Sequence, residues 1–163
     1  MSNPTTAEST GVASRELEAL FRSEYARLVR LASLLTRSES ISEEVVQDAF
    51  IRLHRRWDSV DDPAAYVTQV VVNEARARVR RRAVERRHAP VPPEPVLPPE
   101  LDETFQLLSV LTPKRQVALV LRYYEDMPID DIATVMDCRP ATVKSLIHRG
   151  LKSLRRRLDA HTN

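Results

Sequence analysis

Apolar residues recur every three or four positions through most of the chain, which is the spacing of amphipathic helices packed around a core. In the first half, this pattern predicts a helix that starts near Arg15 and a second helix near Ser40, which has capping-box spacing to Glu43. A third helix is predicted after Asp62 and Pro63, because these residue types suit an N-cap and a first helical position. The first half therefore has the pattern of a helical domain.

A proline-rich segment divides the chain. Six of the eleven prolines lie between Pro90 and Pro99, where the helical pattern stops. Such a segment is extended, at about 3.1 Å per residue, and acts as a semi-rigid spacer. Helical spacing resumes at Leu101, and Thr112 followed by Pro113 has the features of a further helix start.

We therefore expect an all-α protein with two small helical domains joined by a Pro-rich linker. The expected divisions are a flexible tail at 1–14, a first domain at 15–87, the linker at 88–100, a second domain at 101–158 and a short tail at 159–163.

The segment from Pro128 to Lys152 has the pattern of a helix-turn-helix. A short helix with one apolar face ends near Asp137, a residue type that tolerates the left-handed conformation of a helix end, and a longer helix opens at Pro140. The polar side of the longer helix carries hydrogen-bond donors that suit the DNA major groove. The donors are Thr142, Lys144, Ser145, His148, Arg149 and Lys152. An ordinary amphipathic hairpin with a solvated basic face is the alternative.

Charge is distributed unevenly, although the net charge is only +2. Residues 1–75 contain eight Arg and twelve acidic residues, whereas residues 76–87 contain seven Arg and one Glu. An arginine-rich helix face is often only solvated, but beside a helix-turn-helix it is typical of a surface that contacts phosphates. The pattern favours nucleic acid as a partner.

The sequence contains none of the catalytic motifs that are typical signs of an enzyme. It lacks a Gly-rich phosphate loop, a nucleophile elbow and clustered metal ligands, and its four His are scattered. We therefore expect no catalytic residue, no metal and no cofactor. The single Cys138 cannot form an internal disulfide, and no apolar run is long enough to cross a bilayer, so we expect a cytoplasmic protein without membrane insertion.

Two segments resemble a known family. The run Leu111–Met127, followed by Ile132-Ala133 and by Thr142-Val143-Lys144-Ser145, is similar to the promoter-reading domain of extracytoplasmic-function sigma factors, a branch of the sigma-70 family. Glu44–Leu53 resembles the segment of that family that docks on the clamp helices of the RNA polymerase β′ subunit. The resemblance is to the actinobacterial sigma-E type and spans roughly residues 17–158.

The resemblance implies three binding surfaces. The second helix would bind core polymerase, the third helix and the loop before it would hold the melted minus-10 strand, and the last helix would recognise the minus-35 duplex. The implied polymerase-binding residues are Glu44, Gln47, Asp48 and Arg52. The implied minus-10 residues are Ser59, Val60, Asp61, Tyr66, Asn73, Arg76 and Arg80. The implied minus-35 residues are Lys144, Ser145, His148 and Arg149, and the neighbouring Arg139, Thr142 and Lys152 are further minus-35 candidates.

Two alternatives stay open. Tyr66 is equally compatible with stacking on an unpaired base and with a place in the core. For the whole chain, a dissociable polymerase subunit that directs promoter recognition and opening is favoured, and an autonomous helix-turn-helix regulator is the alternative. The implied partners are core polymerase at its β′ clamp helices and β flap, promoter DNA as duplex and melted strand, and an anti-sigma protein.

Overall fold

A computed structural model of the protein describes residues 4–88 and 99–162, without the side chains of residues 4–10, 102, 161 and 162. The described residues contain no strand and form two helical domains, which confirms the all-α prediction. Most of the expected linker lies outside the described residues, and its last two residues belong to a helix. The first domain has helices α1 (Pro4–Thr36), α2 (Glu39–Arg56) and α3 (Pro63–Glu85). The second domain has α4 (Pro99–Leu108), α5 (Pro113–Leu119), α6 (Ile129–Val135) and α7 (Pro140–Thr162).

The first domain is built on mutual packing of α1, α2 and α3. Each helix contributes apolar side chains that are fully buried, among them Leu31, Val46 and Val71. Burying one such side chain contributes roughly 1.5–3 kcal/mol, so the contact among the three helices supplies much of the stability of the domain. The spacing of apolar residues predicts these buried positions, but Phe21, which the same spacing places on the apolar face of α1, is 38% exposed.

Two of the predicted helix starts are found in place. The Asp62 carboxylate accepts a hydrogen bond from the Ala65 amide at 3.0 Å, directly ahead of Pro63. Thr112 occupies the N-cap position before Pro113 with an extended backbone, but its side chain makes no capping hydrogen bond. The start of α3 is therefore stabilised by its side-chain cap, whereas the start of α5 has Pro113 but no side-chain capping bond.

The start of α2 differs from the prediction. Its N-cap is Ser38, whose hydroxyl accepts from the Ile41 amide at 3.4 Å, and not Ser40. Arg37, the residue before the cap, has a left-handed φ of 55°, which ends α1 and turns the chain. The turn places Ser38 at the start of α2, so the capping-box spacing of Ser40 is not used.

The two chain ends also differ from the predicted tails. α1 begins at Pro4 and not near Arg15, and α7 continues past Leu158 to Thr162. Extending an existing helix needs no new nucleus, so it proceeds through residues that have no apolar periodicity. Gly11 lies in this extension with no atom within 4 Å of the place where a side chain would be, so the extension is not packed there.

A π-helical turn over Val120–Tyr124 continues α5. The Glu125 amide donates to the Val120 carbonyl, five residues back, at 3.1 Å. This wider turn changes which side chains face the core. The spacing of Val117, Leu121 and Tyr124 predicts one apolar face. Leu121 is buried as predicted, but Tyr124 is 42% exposed.

The turn of the helix-turn-helix is closed by main-chain hydrogen bonds. Asp137 has a left-handed φ of 49°, as its residue type predicts. The Cys138 amide donates to the Ala133 carbonyl at 3.0 Å, and the Asp137 amide donates to the Thr134 carbonyl at 3.2 Å. This pair of bonds is a Schellman motif, which satisfies the last carbonyls of α6 and sets the direction in which the chain enters α7.

The two domains pack against each other, a contact that the Pro-rich linker did not predict. The Arg27 guanidinium pairs with the Glu125 carboxylate across the interface and donates to Thr68 Oγ1 at 3.0 Å. The Glu125 side chain is only 5% exposed and that of Arg27 is 32% exposed. Nearby, Gln116 Nε2 donates to the Leu34 carbonyl at 2.7 Å. An ion pair and a hydrogen bond thus join the first domain to the second.

We expect Arg27→Ala to loosen the contact between the domains, because it leaves the buried Glu125 carboxylate without a cation. Removing one partner of a buried ion pair costs about 3–5 kcal/mol, and we expect the lower end because Arg27 is itself partly exposed. Small-angle X-ray scattering would show a larger radius of gyration, with unchanged helical circular dichroism. Arg22→Ala, which removes an exposed pair with Glu18 on the same helix, is the control. Identical scattering from the two variants would contradict this role of the pair.

Candidate functional site

The candidate polymerase-binding residues lie on a face of α2 that also contacts α3. Glu44, Gln47 and Arg52 are exposed, and Asp48 is half-buried. Arg78 of α3 reaches this face, and its Nη2 lies 2.5 Å from Glu44 Oε1 and 3.7 Å from Asp48 Oδ2. The two carboxylates are therefore held by a cation of the same chain.

Ion pairs between α2 and α3 set the electrostatics of this face. The hydrogen bond from Arg78, and then its charge, hold the pKa of Glu44 below its ordinary value, and the same hydrogen bond raises the pKa of Arg78. Farther along the face, Arg52 Nη1 lies 2.9 Å from Glu74 Oε1. Arg78 and Glu74 were not predicted from the sequence. The charged residues of α2 were the available signal, because charges on an amphipathic helix often pair with charges on a neighbouring helix. The face presents oriented charges and not a free acidic stripe.

A groove beside this face exposes apolar side chains. It has a volume of about 600 Å³ and is lined by residues of α1 and α2, including Phe21, Gln47, Phe50 and Ile51. The rings of Phe21 and Phe50 meet edge to face, with centroids 4.9 Å apart. Ile51 is 49% exposed. Ile51 was not predicted from the sequence. A large aliphatic residue among polar neighbours on a helix would have indicated it, because exposed apolar side chains are typical of binding surfaces.

The candidate minus-10 residues are divided between a loop and α3. In the loop, Ser59 and Asp61 are exposed and Val60 is half-buried. The Ser59 hydroxyl donates to the Arg56 carbonyl at 2.9 Å, which keeps the loop close to the end of α2. Tyr66 is half-buried and packs against the core, so part of its ring is unavailable to a base.

Two candidate minus-10 arginines of α3 face the second domain. Arg76 and Arg80 line a cavity between the domains together with Arg149, a candidate minus-35 residue of α7. Asn73, which helical spacing of i, i+3 and i+7 places on the same edge of α3 as Arg76 and Arg80, is exposed and is not part of the lining. These arginines were predicted to contact two separate DNA elements, and in the structure they line one cavity.

The candidate minus-35 residues project from the turn before α7 and from its first turns. The opposite side of α7 carries Val143 and Ile147, which are buried in the core. Gly150 lies against α5, where a Cβ would be 2.8 Å from Leu119 Cδ1, so a side chain there would have to displace Leu119. Ser145 is half-buried. The exposed candidates are Arg139, Thr142, Lys144, His148, Arg149 and Lys152.

Within residues 4–88 and 99–162, no three His, Cys, Asp or Glu residues are grouped so that they could hold a metal ion. Cys138 is half-buried in the turn and packs against the core. None of the helices in the described ranges combines the length and the apolar character that crossing a membrane requires. The surfaces described above present hydrogen-bonding, charged and apolar groups suited to binding.

Two family models match the chain, one in each domain. Residues 20–85 match the family described as Sigma-70 region 2, and residues 101–154 match the family described as Sigma-70, region 4. The first match contains the candidate polymerase-binding and minus-10 residues, and the second contains the helix-turn-helix. The two matches occur in the order that the sequence predicts.

Individual proteins show the same likeness. The RNA polymerase sigma-E factor of Streptomyces avermitilis is 29% identical over 158 residues, covering 89% of this chain and 86% of that protein. The ECF RNA polymerase sigma factor SigE of Mycolicibacterium smegmatis is 26% identical over 161 residues, covering 90% of this chain and 63% of that protein. The sigma factor RpoE, solved in complex with the anti-sigma factor NepR from Bartonella quintana, has a TM-score of 0.68 at 21% identity and covers 90% of this chain and 96% of that one. With a sigma-70 model matched in each domain, the chain belongs to the extracytoplasmic-function branch of the sigma-70 family, of the sigma-E-like type.

Proposed function

We propose that this sigma factor binds core RNA polymerase through α2, holds the minus-10 element with its first domain and contacts the minus-35 element with α7. The observation that carries the proposal is the row of exposed donors on α7, opposite the core, in the domain that matches sigma-70 region 4. A helix fits the major groove, where donor and acceptor patterns distinguish all four base pairs.

The α2 face supports docking on the β′ clamp helices. Pairing with α3 orients Glu44 and Arg52 in advance, so less side-chain freedom is lost when a partner binds. Gln47 makes no hydrogen bond with the described residues, so its amide is available. Ile51, in the groove beside this face, adds an apolar contact. The surface therefore combines apolar and polar groups, as stable interfaces do.

Promoter binding requires the domains to separate. A protein holds a single strand by placing cations against its phosphates and planar groups against its bases. Arg80 supplies a cation, and the accessible part of Tyr66 supplies a planar group. The minus-10 and minus-35 elements are about 25 base pairs apart, or about 85 Å along a duplex. Because Arg80 and Arg149 line one cavity in the closed arrangement, they cannot reach both elements until the domains move apart.

We propose two further features of the sigma factor's role. The second domain contacts the β flap of core polymerase. An anti-sigma protein controls the sigma factor, a proposal supported by the solved complex of RpoE with NepR. The chain acts in the cytoplasm with polymerase and catalyses no reaction itself, because promoter recognition is binding alone.

Ile51→Lys is expected to weaken binding to core polymerase about thirtyfold, the loss of about 2 kcal/mol that marks an interface hot spot. The reason is that the substitution puts a charge in the apolar groove beside the charged residues of α2. Fluorescence anisotropy of labelled protein titrated with core polymerase measures the affinity. Val84→Lys, which changes a similarly exposed aliphatic residue of α3, is the control. Equal affinities of the two variants would show that α2 is not the docking face.

Arg78→Gln is expected to raise the pKa of Glu44, because the hydrogen bond and charge that depress it are lost. Because the pKa of Glu44 is depressed in the folded state, its pair with Arg78 stabilises the fold at pH values above the ordinary Glu pKa of 4.5. This stabilisation is lost as the pH falls through the folded-state pKa. NMR titration of the Glu44 carboxyl carbon measures the shift. Arg55→Gln, at an exposed position of α2, is the control. An unchanged Glu44 titration in Arg78→Gln would disprove the pairing in solution.

Arg149→Ala is expected to lower transcription from a minus-35-dependent promoter between about fivefold and about a hundredfold, since one base contact contributes about 1–3 kcal/mol. Reconstituted transcription with core polymerase measures the effect. Arg155→Ala, an exposed cation farther along α7, is the matched control. Equal losses in both variants would indicate general phosphate attraction and not recognition. Tight, specific duplex binding without polymerase would instead support an autonomous regulator.

A further inference from the structure

A cavity of about 420 Å³ lies between the two domains. Its walls come from the end of α1, from α3, and from α5 and α7, so it exists only while the domains are packed together. The volume falls within the range of about 300–1,000 Å³ that is usual for small-molecule sites. A DNA duplex is far too large to enter it.

Cations surround this cavity, and none of its lining residues is acidic. Among the lining cations, Arg115 donates a hydrogen bond to Ser153 Oγ at 3.4 Å. None of the other four lining cations forms an ion pair with the described residues. Several positive charges around one small space repel each other, and an anion between them would remove that repulsion. By contrast, Arg52 and Arg78 on the α2 face are paired with carboxylates. The cations of the lining are Arg76, Arg80, Lys114, Arg115 and Arg149.

The inner wall of the cavity is apolar. Its apolar residues are Leu35, Val79, Val117 and Leu146. Leu35 and Val117 are buried, whereas Arg80, Lys114 and Arg149 are exposed at the mouth. A ligand that satisfies both regions carries several negative charges at one end and a flat, weakly polar body at the other. Nucleotides with more than one phosphate have this composition.

We propose that the cavity binds a nucleotide carrying two or more phosphates, with the phosphates between the cations of both domains and the base against the apolar wall. Charge-assisted hydrogen bonds from arginine and lysine to phosphate are among the strongest that side chains make. A ligand that binds only the closed arrangement stabilises it by mass action, so the bound nucleotide opposes separation of the domains. This site shares Arg80 and Arg149 with the promoter surfaces proposed above, but it differs from them in its ligand and in its dependence on closure.

Isothermal titration calorimetry of the full chain with ATP tests the proposal. We expect one ATP per chain, and a Kd raised at least about tenfold by Arg80→Glu or by Lys114→Glu, each of which replaces a cation of one domain by a repelling charge. Arg81→Glu and Arg155→Glu make the same charge change at exposed positions outside the cavity. These controls should bind ATP within about twofold of the unchanged protein.

Pyrophosphate and adenosine, titrated separately, test the two ends of the ligand. Each should bind at least about tenfold more weakly than ATP if phosphates and base both contribute. Pyrophosphate binding as tightly as ATP would overturn the nucleotide assignment. Absence of binding at millimolar ATP, or equal weakening by cavity and control variants, would overturn the site. Weakening by only one of the two cavity variants would overturn the bridging of both domains.

Discussion

The buried carboxylate of Glu125 is the constraint on which the relative placement of the two domains depends. The π-helical turn Val120–Tyr124 precedes it and Asp126, with a left-handed φ of 50°, follows it, so the local backbone of the second domain delivers the acid to the interface. A carboxylate that is 5% exposed requires a cation, which α1 supplies as Arg27. The helix-turn-helix begins only a few residues later, at Pro128, so this pair also sets where α7 lies.

Arginine has two different roles on α3. Arg78 pairs with Glu44 and fastens the candidate polymerase face of α2, whereas Arg76 and Arg80 face the cavity between the domains without an ion pair in the described chain. Residues two apart on a helix do not share a face, so the alternation along this short run separates the two roles. One arginine-rich helix thus stabilises a protein-binding surface on one side and presents uncompensated charge on the other.

Helix ends were predictable where the deciding group is close in sequence. Asp62 caps α3 three residues ahead of its amide partner, and Asp137 takes the left-handed conformation that its residue type tolerates. Prediction failed where two residues had equivalent sequence signals and the neighbouring structure decided which of them was used. Ser40 has capping-box spacing, but the turn at Arg37 makes Ser38 the cap of α2. The candidate site followed the same rule, since the exposed polar residues of α2 were predicted but their ion-pair partners on α3, Arg78 and Glu74, were not.

By itself, the sequence determined the helical class, the order of the two domains, the helix-turn-helix and the donor row of α7, because each depends on spacing within one element. Only the tertiary structure decided that Arg27 meets Glu125, 98 residues away, and that Arg76 and Arg149 line one cavity. The distance between two such residues depends on how helices cross and on where a π turn or a left-handed residue redirects the chain. No periodicity along a single helix carries that information, so the contacts that join the domains emerge only when the helices are packed.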